Sequence, residues 1–315
     1  MDAADVDAAD VDASLEIPRW AYRELVDEGR VFRETFPVRF DEAGPDKAAT
    51  MVTVASMVAE CACNHAQHLW GLGQSMPAGM LAENLAWVCT RLHLVVREYP
   101  RWGEQVEVKT WFEAQGRVAA RRDWTLTSAG NGEAIAEDAA PIGVATSQWV
   151  AFNVEKRKMA RIPASVVEEF KESANVGSPV MGDAYAVVKL PDIRGVEKGV
   201  NEFGGIAVRR RDLDMNGHVN NVVYTEWILE AVPVQLWGTH RLAELELEFR
   251  SECNYGDTVD AICCDEAGVA EEADEDEAPA EDGKTRMVHM LLKHGVEGKD
   301  AEVIRARTVW EPKEA

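Results

Sequence analysis

No apolar run in this sequence approaches the roughly 20 residues that a membrane-spanning helix needs, so a soluble protein is expected. Cysteine is sparse. Cys61, Cys63, Cys89, Cys253, Cys263 and Cys264 lack the paired CxxC spacing of a zinc site and are too few for a disulfide framework in 315 residues. A reducing compartment follows. Basic residues are missing from the opening Met1-Asp-Ala-Ala-Asp-Val-Asp7, although signal and transit peptides both depend on them. The expectation is therefore a cytosolic protein or one whose targeting segment has been removed. Gly71-Leu-Gly73-Gln74 follows no strand pattern and is no nucleotide fingerprint. Neither a cofactor nor a metal is expected.

Net charge is −23, which argues against nucleic acid and anionic membranes as partners. The acids are unevenly placed. Six lie in residues 1–16 and ten between Asp265 and Asp282, with no Lys or Arg in either stretch. Without them the remainder carries only about −7. The folded part is thus mildly acidic, and the excess sits in solvated low-complexity segments. Against this background three basic clusters stand out: Arg117/Arg121/Arg122, Lys156/Arg157/Lys158/Arg161 and Arg209/Arg210/Arg211. Such residues are usually solvated strand edges, but local concentrations of this kind also steer a small acidic partner.

Hydrophobic periodicity gives one pattern twice. A strand at Val31–Phe40 leads to a helix over Thr50–Leu72, then to strands at 85–97, 104–114, 118–128 and 144–154. The second half predicts a strand at Ile206–Arg210, a helix from about Val219 to Leu236, and strands near 243–250, 257–264, 286–293 and 301–310. The Gly turns at Gly103 and Gly256 would be equivalent. One antiparallel sheet wrapped around one long helix, repeated, makes an α+β fold of tandem hot-dog domains forming a pseudo-dimer. The expected division is an acidic lead (1–30), an N-terminal domain (31–170), a linker rich in Gly and Pro (171–200) and a C-terminal domain (201–315). The acidic insert 265–283 within the last is expected to be disordered.

Chemistry concentrates in Arg211-Asp-Leu-Asp-Met-Asn-Gly-His-Val-Asn-Asn221. If extended, this segment points Asp214, Asn216 and His218 to one side, at the start of a helix whose free N–H groups suit an oxyanion. An acid, an amide and an imidazole there suggest hydrolysis or acyl transfer; a polar helix cap would explain only one or two of them. Glu252 and Cys253 follow a strand. The carboxylate could polarise water and the thiol could act as nucleophile, with alternation placing the two on opposite faces. Cys61, His65 and His68 share a helical face without a fourth ligand, so buried or interface histidines are expected rather than a metal site.

These residues carry a resemblance. Asp212-Leu-Asp-Met-Asn-Gly-His-Val-Asn-Asn-Val222 with Tyr224, Trp227-Ile-Leu-Glu230 and Pro233 resembles the signature of plant and algal acyl-ACP thioesterases. Phe249-Arg-Ser-Glu-Cys253 resembles the family's second catalytic segment, and Asn64-His65, Asn84-Leu-Ala-Trp-Val-Cys-Thr-Arg91, Tyr99-Pro-Arg-Trp-Gly103 and Arg121-Arg-Asp-Trp124 are similar to its first half. The resemblance implies a fatty-acid-biosynthesis hydrolase of the plastid (chloroplast) stroma. It would cleave the thioester of acyl-[acyl carrier protein], with the carrier protein and its acyl-phosphopantetheine as partner. It also implies catalytic roles for Asp214, Asn216, His218, Glu252 and Cys253.

Two mechanisms stay open. Either Cys253 attacks, with His218 as base and Asn216 orienting it, or Glu252 activates water while Asp214 and Asn216 hold the acyl carbonyl and imidazole. In both, backbone N–H groups near Asn220 and Asn221 would hold the oxyanion. The water route is favoured because it uses the carboxylates that the thiol route leaves idle. This chain departs from the plant pattern at Gly217, where Gln is common, and in its acidic insert. Asp41-Glu-Ala-Gly-Pro45 has no Asn or His, so one active site per chain is expected, leaving the first domain to shape the acyl tunnel. An acyl-CoA hydrolase of the same fold, a dehydratase and a non-catalytic acyl-binding module are the alternatives. Oligomeric state is open at this level, with a homodimer among the options.

Overall fold

The computed structural model describes residues 23–130, 135, 139–173, 179–182, 189–196, 199–270, 283–295 and 299–313. The N-terminal half contains β1 (Arg23–Val26), β2 (Val31–Pro37), α1 (Met51–Trp70), α2 (Ala78–Ala82), β3 (Leu85–Val96), β4 (Gln105–Gln115), β5 (Ala119–Ser128), β6 (Gly143–Asn153), β7 (Lys158–Met159) and α3 (Ala164–Ser173). The C-terminal half contains β8 (Asn201–Ala207), α4 (Asn221–Glu230), α5 (Val234–Thr239), β9 (His240–Phe249), β10 (Thr258–Asp265), α6 (Glu266–Ala270), β11 (Thr285–Lys293) and β12 (Ala301–Pro312).

The strands form a single antiparallel sheet in the order β1-β2-β4-β5-β6-β3-β9-β12-β11-β10-β8, with β7 appended to β6. Outward from the β3–β9 seam, the two halves repeat the same order of equivalent strands. Each half is a sheet curled around its own helix, which is the expected tandem hot-dog pseudo-dimer. At the seam, Leu92 and Leu94 pair with Leu247 and Leu245, while Arg91 and His93 pair with Glu248 and Glu246. Apolar side chains therefore face the helices. On the other face Arg91 bridges Glu246 at 3.0 Å and Glu248 at 3.1 Å, joining the halves by charge as well as by backbone.

The helices form where the sequence allows a cap and a buried stripe. Thr50 caps α1, accepting the Thr53 N–H at 3.2 Å, and Gly71 ends the helix at φ +102°. Met51, Val54, Ala55, Val58, Cys61 and His65 are buried at helical spacing, so α1 is held by packing of this face against the sheet. Burying one such aliphatic side chain contributes about 1.5–3 kcal/mol. Asn220 caps α4, accepting the Val222 N–H at 2.9 Å. Here the expected Val219–Leu236 helix is two pieces. Pro233 has no N–H to continue α4 and instead begins α5.

Other differences from the sequence expectations are local. Residues 23–26, assigned to the acidic lead, form β1 and extend the sheet beside β2. The strand expected at Ile206–Arg210 lies earlier, at Asn201–Ala207, and Arg210–Asp212 form a 3-10 turn instead. Within the expected linker, Leu190 and Ile193 are buried; Ile193 packs against Val288 and Met290, and the Leu190 carbonyl accepts from Arg305 at 2.9 Å. The acidic insert opens with the end of β10 and with α6; its residues 271–282 lie outside the described residues, as do residues 1–22 of the acidic lead.

Two basic clusters are less free than expected. Arg121 and Arg122 are buried: Arg121 pairs with Glu113 and Asp123, and Arg122 lies 2.9 Å from the His65 ring over the face of Phe112. Arg209 pairs with Asp212, and Arg210 covers the Tyr255 ring. Lys156, Arg157, Lys158 and Arg161 are exposed, and so are Arg209, Arg210 and Arg211 despite their contacts.

Candidate active site

The loop between β8 and α4 does not run extended. Gly217 sits at φ +81°, a conformation that costs glycine little, and turns the chain back on itself. The Asp214 N–H donates to the His218 carbonyl at 2.8 Å, and the Gly217 N–H donates to the Asp214 carbonyl at 3.1 Å. Inside this turn the Asp214 carboxylate is spent on the loop itself. It accepts from the Asn216 N–H at 2.8 Å, the Asn216 Nδ2 at 3.1 Å and the His218 N–H at 3.3 Å. Asp214 thus shapes the loop and holds the Asn216 amide. One Nδ2 hydrogen of Asn216 remains for another acceptor.

This turn brings His218 to Glu252. Nε2 lies 3.6 Å from Oε2, and both side chains are 47% exposed, so water reaches the pair. The two segments are tied by the Val219 N–H, which donates to the Cys253 carbonyl at 3.2 Å. The other Glu252 oxygen faces Arg157 at 3.4 Å, and Lys293 donates to the Glu252 carbonyl at 2.9 Å. Of the two N–H groups considered for an oxyanion, that of Asn220 is committed to the Asp212 carbonyl at 2.9 Å. Val222 and Val223 donate to Asn220. The Asn221 N–H at the first turn of α4 has no hydrogen-bond partner among the described residues.

Cys253 lies elsewhere in chemical terms. It is fully buried, its N–H donates to the Tyr224 hydroxyl at 3.0 Å, and Tyr224 also faces the thiol. Burial pushes the thiol up to about 11, against smaller lowering by Tyr224 and Lys293. No hydrogen bond joins the sulfur to His218 among the described residues. Four of the five sequence-identified residues therefore cluster at an open polar surface, and the fifth backs onto it from the core.

Sequence reasoning missed Arg157 and Lys293 as neighbours of Glu252. It quoted Tyr224 without giving it a task, although a buried tyrosine hydroxyl requires a partner. The helical trio Cys61, His65 and His68 is also structural: Cys61 donates to the Val108 carbonyl, and His65 stacks on Phe32 beside Arg122. Burial, followed by the neighbouring Arg122 charge, holds His65 far below the ordinary histidine range. No group of three or more potential metal ligands occurs among the described residues.

Residues 29–170 match the family described as the acyl-ACP thioesterase N-terminal domain, and residues 196–312 match the acyl-ACP thioesterase C-terminal domain. The chain belongs to the acyl-ACP thioesterase family. It is 31% identical over 308 residues to the chloroplastic oleoyl-acyl carrier protein thioesterase 2 of Arabidopsis thaliana, covering 94% of this chain and 80% of that protein. It is 34% identical over 296 residues to the chloroplastic palmitoyl-acyl carrier protein thioesterase of Gossypium hirsutum, covering 93% of this chain and 66% of the relative. Among solved structures, the 12:0-ACP thioesterase from Umbellularia californica superposes with a TM-score of 0.73 at 28% identity, over 90% of this chain and 98% of the other.

Proposed function

We propose that this thioesterase hydrolyses acyl-[acyl carrier protein] to free fatty acid by attack of water at the His218–Glu252 pair. The observation that carries the reading is the 3.6 Å approach of His218 Nε2 to Glu252 Oε2 at an accessible surface, with the Cys253 thiol buried behind it. A water hydrogen-bonded beside the two side chains loses its proton to the pair as its oxygen adds to the thioester carbonyl. The resulting oxyanion takes the Asn221 N–H and the spare Asn216 amide hydrogen. When the intermediate collapses, the C–S bond breaks and the pair returns its proton to the sulfur. The products are the fatty acid and the carrier's phosphopantetheine thiol.

The relatives' names supply the substrate class and, in being called chloroplastic, the compartment. We assign the activity to the plastid, and to its stroma, where soluble fatty acid synthesis takes place. The acyl carrier protein is the proposed partner, steered by the exposed Lys156, Lys158 and Arg161 on the hairpin that reaches Glu252. The acyl chain would run along the apolar face of α1 in the N-terminal domain. Hydrolysis of a panel of acyl-ACPs across chain lengths, with matched acyl-CoAs as controls, tests the reading. Cleavage of acyl-ACP with a clear chain-length optimum is expected. If no acyl-ACP is cleaved, or acyl-CoA is preferred, the reading fails.

A further inference from the structure

We propose that Arg157, on the β6–β7 hairpin of the N-terminal domain, is a positioning residue that holds one oxygen of Glu252 so that the other faces His218. The inference rests on the hydrolytic reading above. Arg157 Nη2 lies 3.4 Å from Glu252 Oε1, and His218 Nε2 lies 3.6 Å from Oε2, so the carboxylate is gripped from both sides. A carboxylate held only by its own flexible stem would sample several rotamers, and a near-attack arrangement tolerates little misplacement.

The hairpin is built to present this side chain. Asn153 is buried; its Nδ2 donates to the Glu83 carbonyl at 3.0 Å, and its Oδ1 accepts the Lys156 N–H at 2.7 Å. The Val154 N–H donates to the Asn84 carbonyl at 3.1 Å. Arg157 itself sits at φ +48°, where a side chain is disfavoured and glycine would fit more easily. A strained non-glycine whose side chain reaches a reacting group is the kind of outlier that points to function. The remaining charged neighbour, Lys293, binds the Glu252 backbone carbonyl and the Asp257 carboxylate, leaving the Glu252 side chain to Arg157 and His218. The N-terminal domain would then act on the chemistry of the C-terminal site as well as on acyl-chain binding.

The experiment compares Arg157→Gly and Arg157→Lys with the unmodified chain on one acyl-ACP, each alone and combined with Glu252→Gln. Glycine relieves the backbone, so thermal stability should hold or rise. Because the contact is solvent-exposed, kcat should fall only about 3- to 10-fold with KM unchanged, and Lys should recover most of the loss. In the Glu252→Gln background the Arg157→Gly change should add nothing. An unmodified chain that does not cleave acyl-ACP overturns the hydrolytic reading itself. An active unmodified chain overturns the positioning role in either of two cases: Arg157→Gly is unimpaired, or it raises KM alone and keeps its effect without Glu252, as a carrier-docking arginine would.

Discussion

Two loops of this molecule have the same backbone and opposite contents. Val38 corresponds to Val208, Thr50 to Asn220, and every residue between them keeps step. Gly44 donates to the Ala48 carbonyl at 2.8 Å as Asp214 does to His218, and Lys47 turns the chain at φ +64° as Gly217 does at +81°. Arg39 and Glu42 close the same box as Arg209 and Asp212. Even the partner segments agree: Ala49 donates to Pro100 as Val219 does to Cys253, and Gly103 and Gly256 both sit at φ +88°. Yet Ala48 stands where His218 is, Gly44 where Asp214 is, and Tyr99-Pro100 where Glu252-Cys253 are. The N-terminal loop borders a cleft shared with Glu226, Leu229 and Glu230 of α4. The loop geometry is thus a property of the fold, and under the proposed function reactivity comes from side chains placed on this loop and its partner segment.

The sharpest way to break this comparison is His218→Ala, which gives the C-terminal loop the side chain that the N-terminal loop already carries at Ala48. Because the Ala48 loop folds, the variant should keep its melting temperature. Its kcat/KM on acyl-ACP should fall about 1,000-fold, within the span expected for loss of a general acid–base group. A loss of less than tenfold would remove His218 from the chemistry. Glu252→Gln should cost roughly 100-fold by the same assay, since the amide keeps the shape and loses the proton acceptor.

A smaller effect is expected at Asp214. In the N-terminal loop Asp46 accepts the Ala48 N–H at 3.1 Å, so a carboxylate holds the backbone of each turn from a different position, with one such bond there and two from Asp214. Asp214 accepts three hydrogens. Asp214→Ala should lower stability by about 1–2 kcal/mol, read by denaturant titration. It should also reduce kcat roughly tenfold by freeing Asn216 and His218. An unchanged kcat would mean that the loop holds its shape through the backbone alone.

The pseudo-dimer was legible in the sequence because periodicity recurs twice, with Gly103 and Gly256 at matching places. The loop contents were legible because Asp214, Asn216 and His218 have no counterpart near Asp41. Their arrangement was not legible. Alternation assumed an extended segment, and the positive φ at Gly217 folds Asp214 back onto its own backbone. β1 was missed because Arg23-Glu-Leu-Val26 is too short and mixed to differ from a polar lead. The Arg121/Arg122 pair looked like a surface cluster, since sequence does not reveal that Glu113, Asp123 and His65 wait inside to receive it. Arg157 meets Glu252 from 95 positions away in the sequence, a pairing that no local pattern encodes.

The finest distinction between the loops lies at Cys253, opposite Pro100. If the thiol were the nucleophile, its replacement by Ser should abolish turnover, and the rate should climb with pH as the thiol ionises. Burial holds the thiol at about 11, so at pH 8 only roughly one molecule in a thousand carries a thiolate. A thiolate route would therefore gain about tenfold per pH unit from pH 8 to 10. A route through water at His218 and Glu252 does not pass through that thiolate. Cys253→Ser keeps the shape and leaves a hydroxyl for Tyr224, so kcat should stay within about threefold of the unmodified enzyme, a shift of less than ~1 kcal/mol in the barrier. Mass spectrometry of the chain quenched during turnover gives the complementary reading. An acyl group found on Cys253 would make the thiol the attacking atom, and the contrast between Cys253 and Pro100 would become the decisive one instead of the contrast between His218 and Ala48.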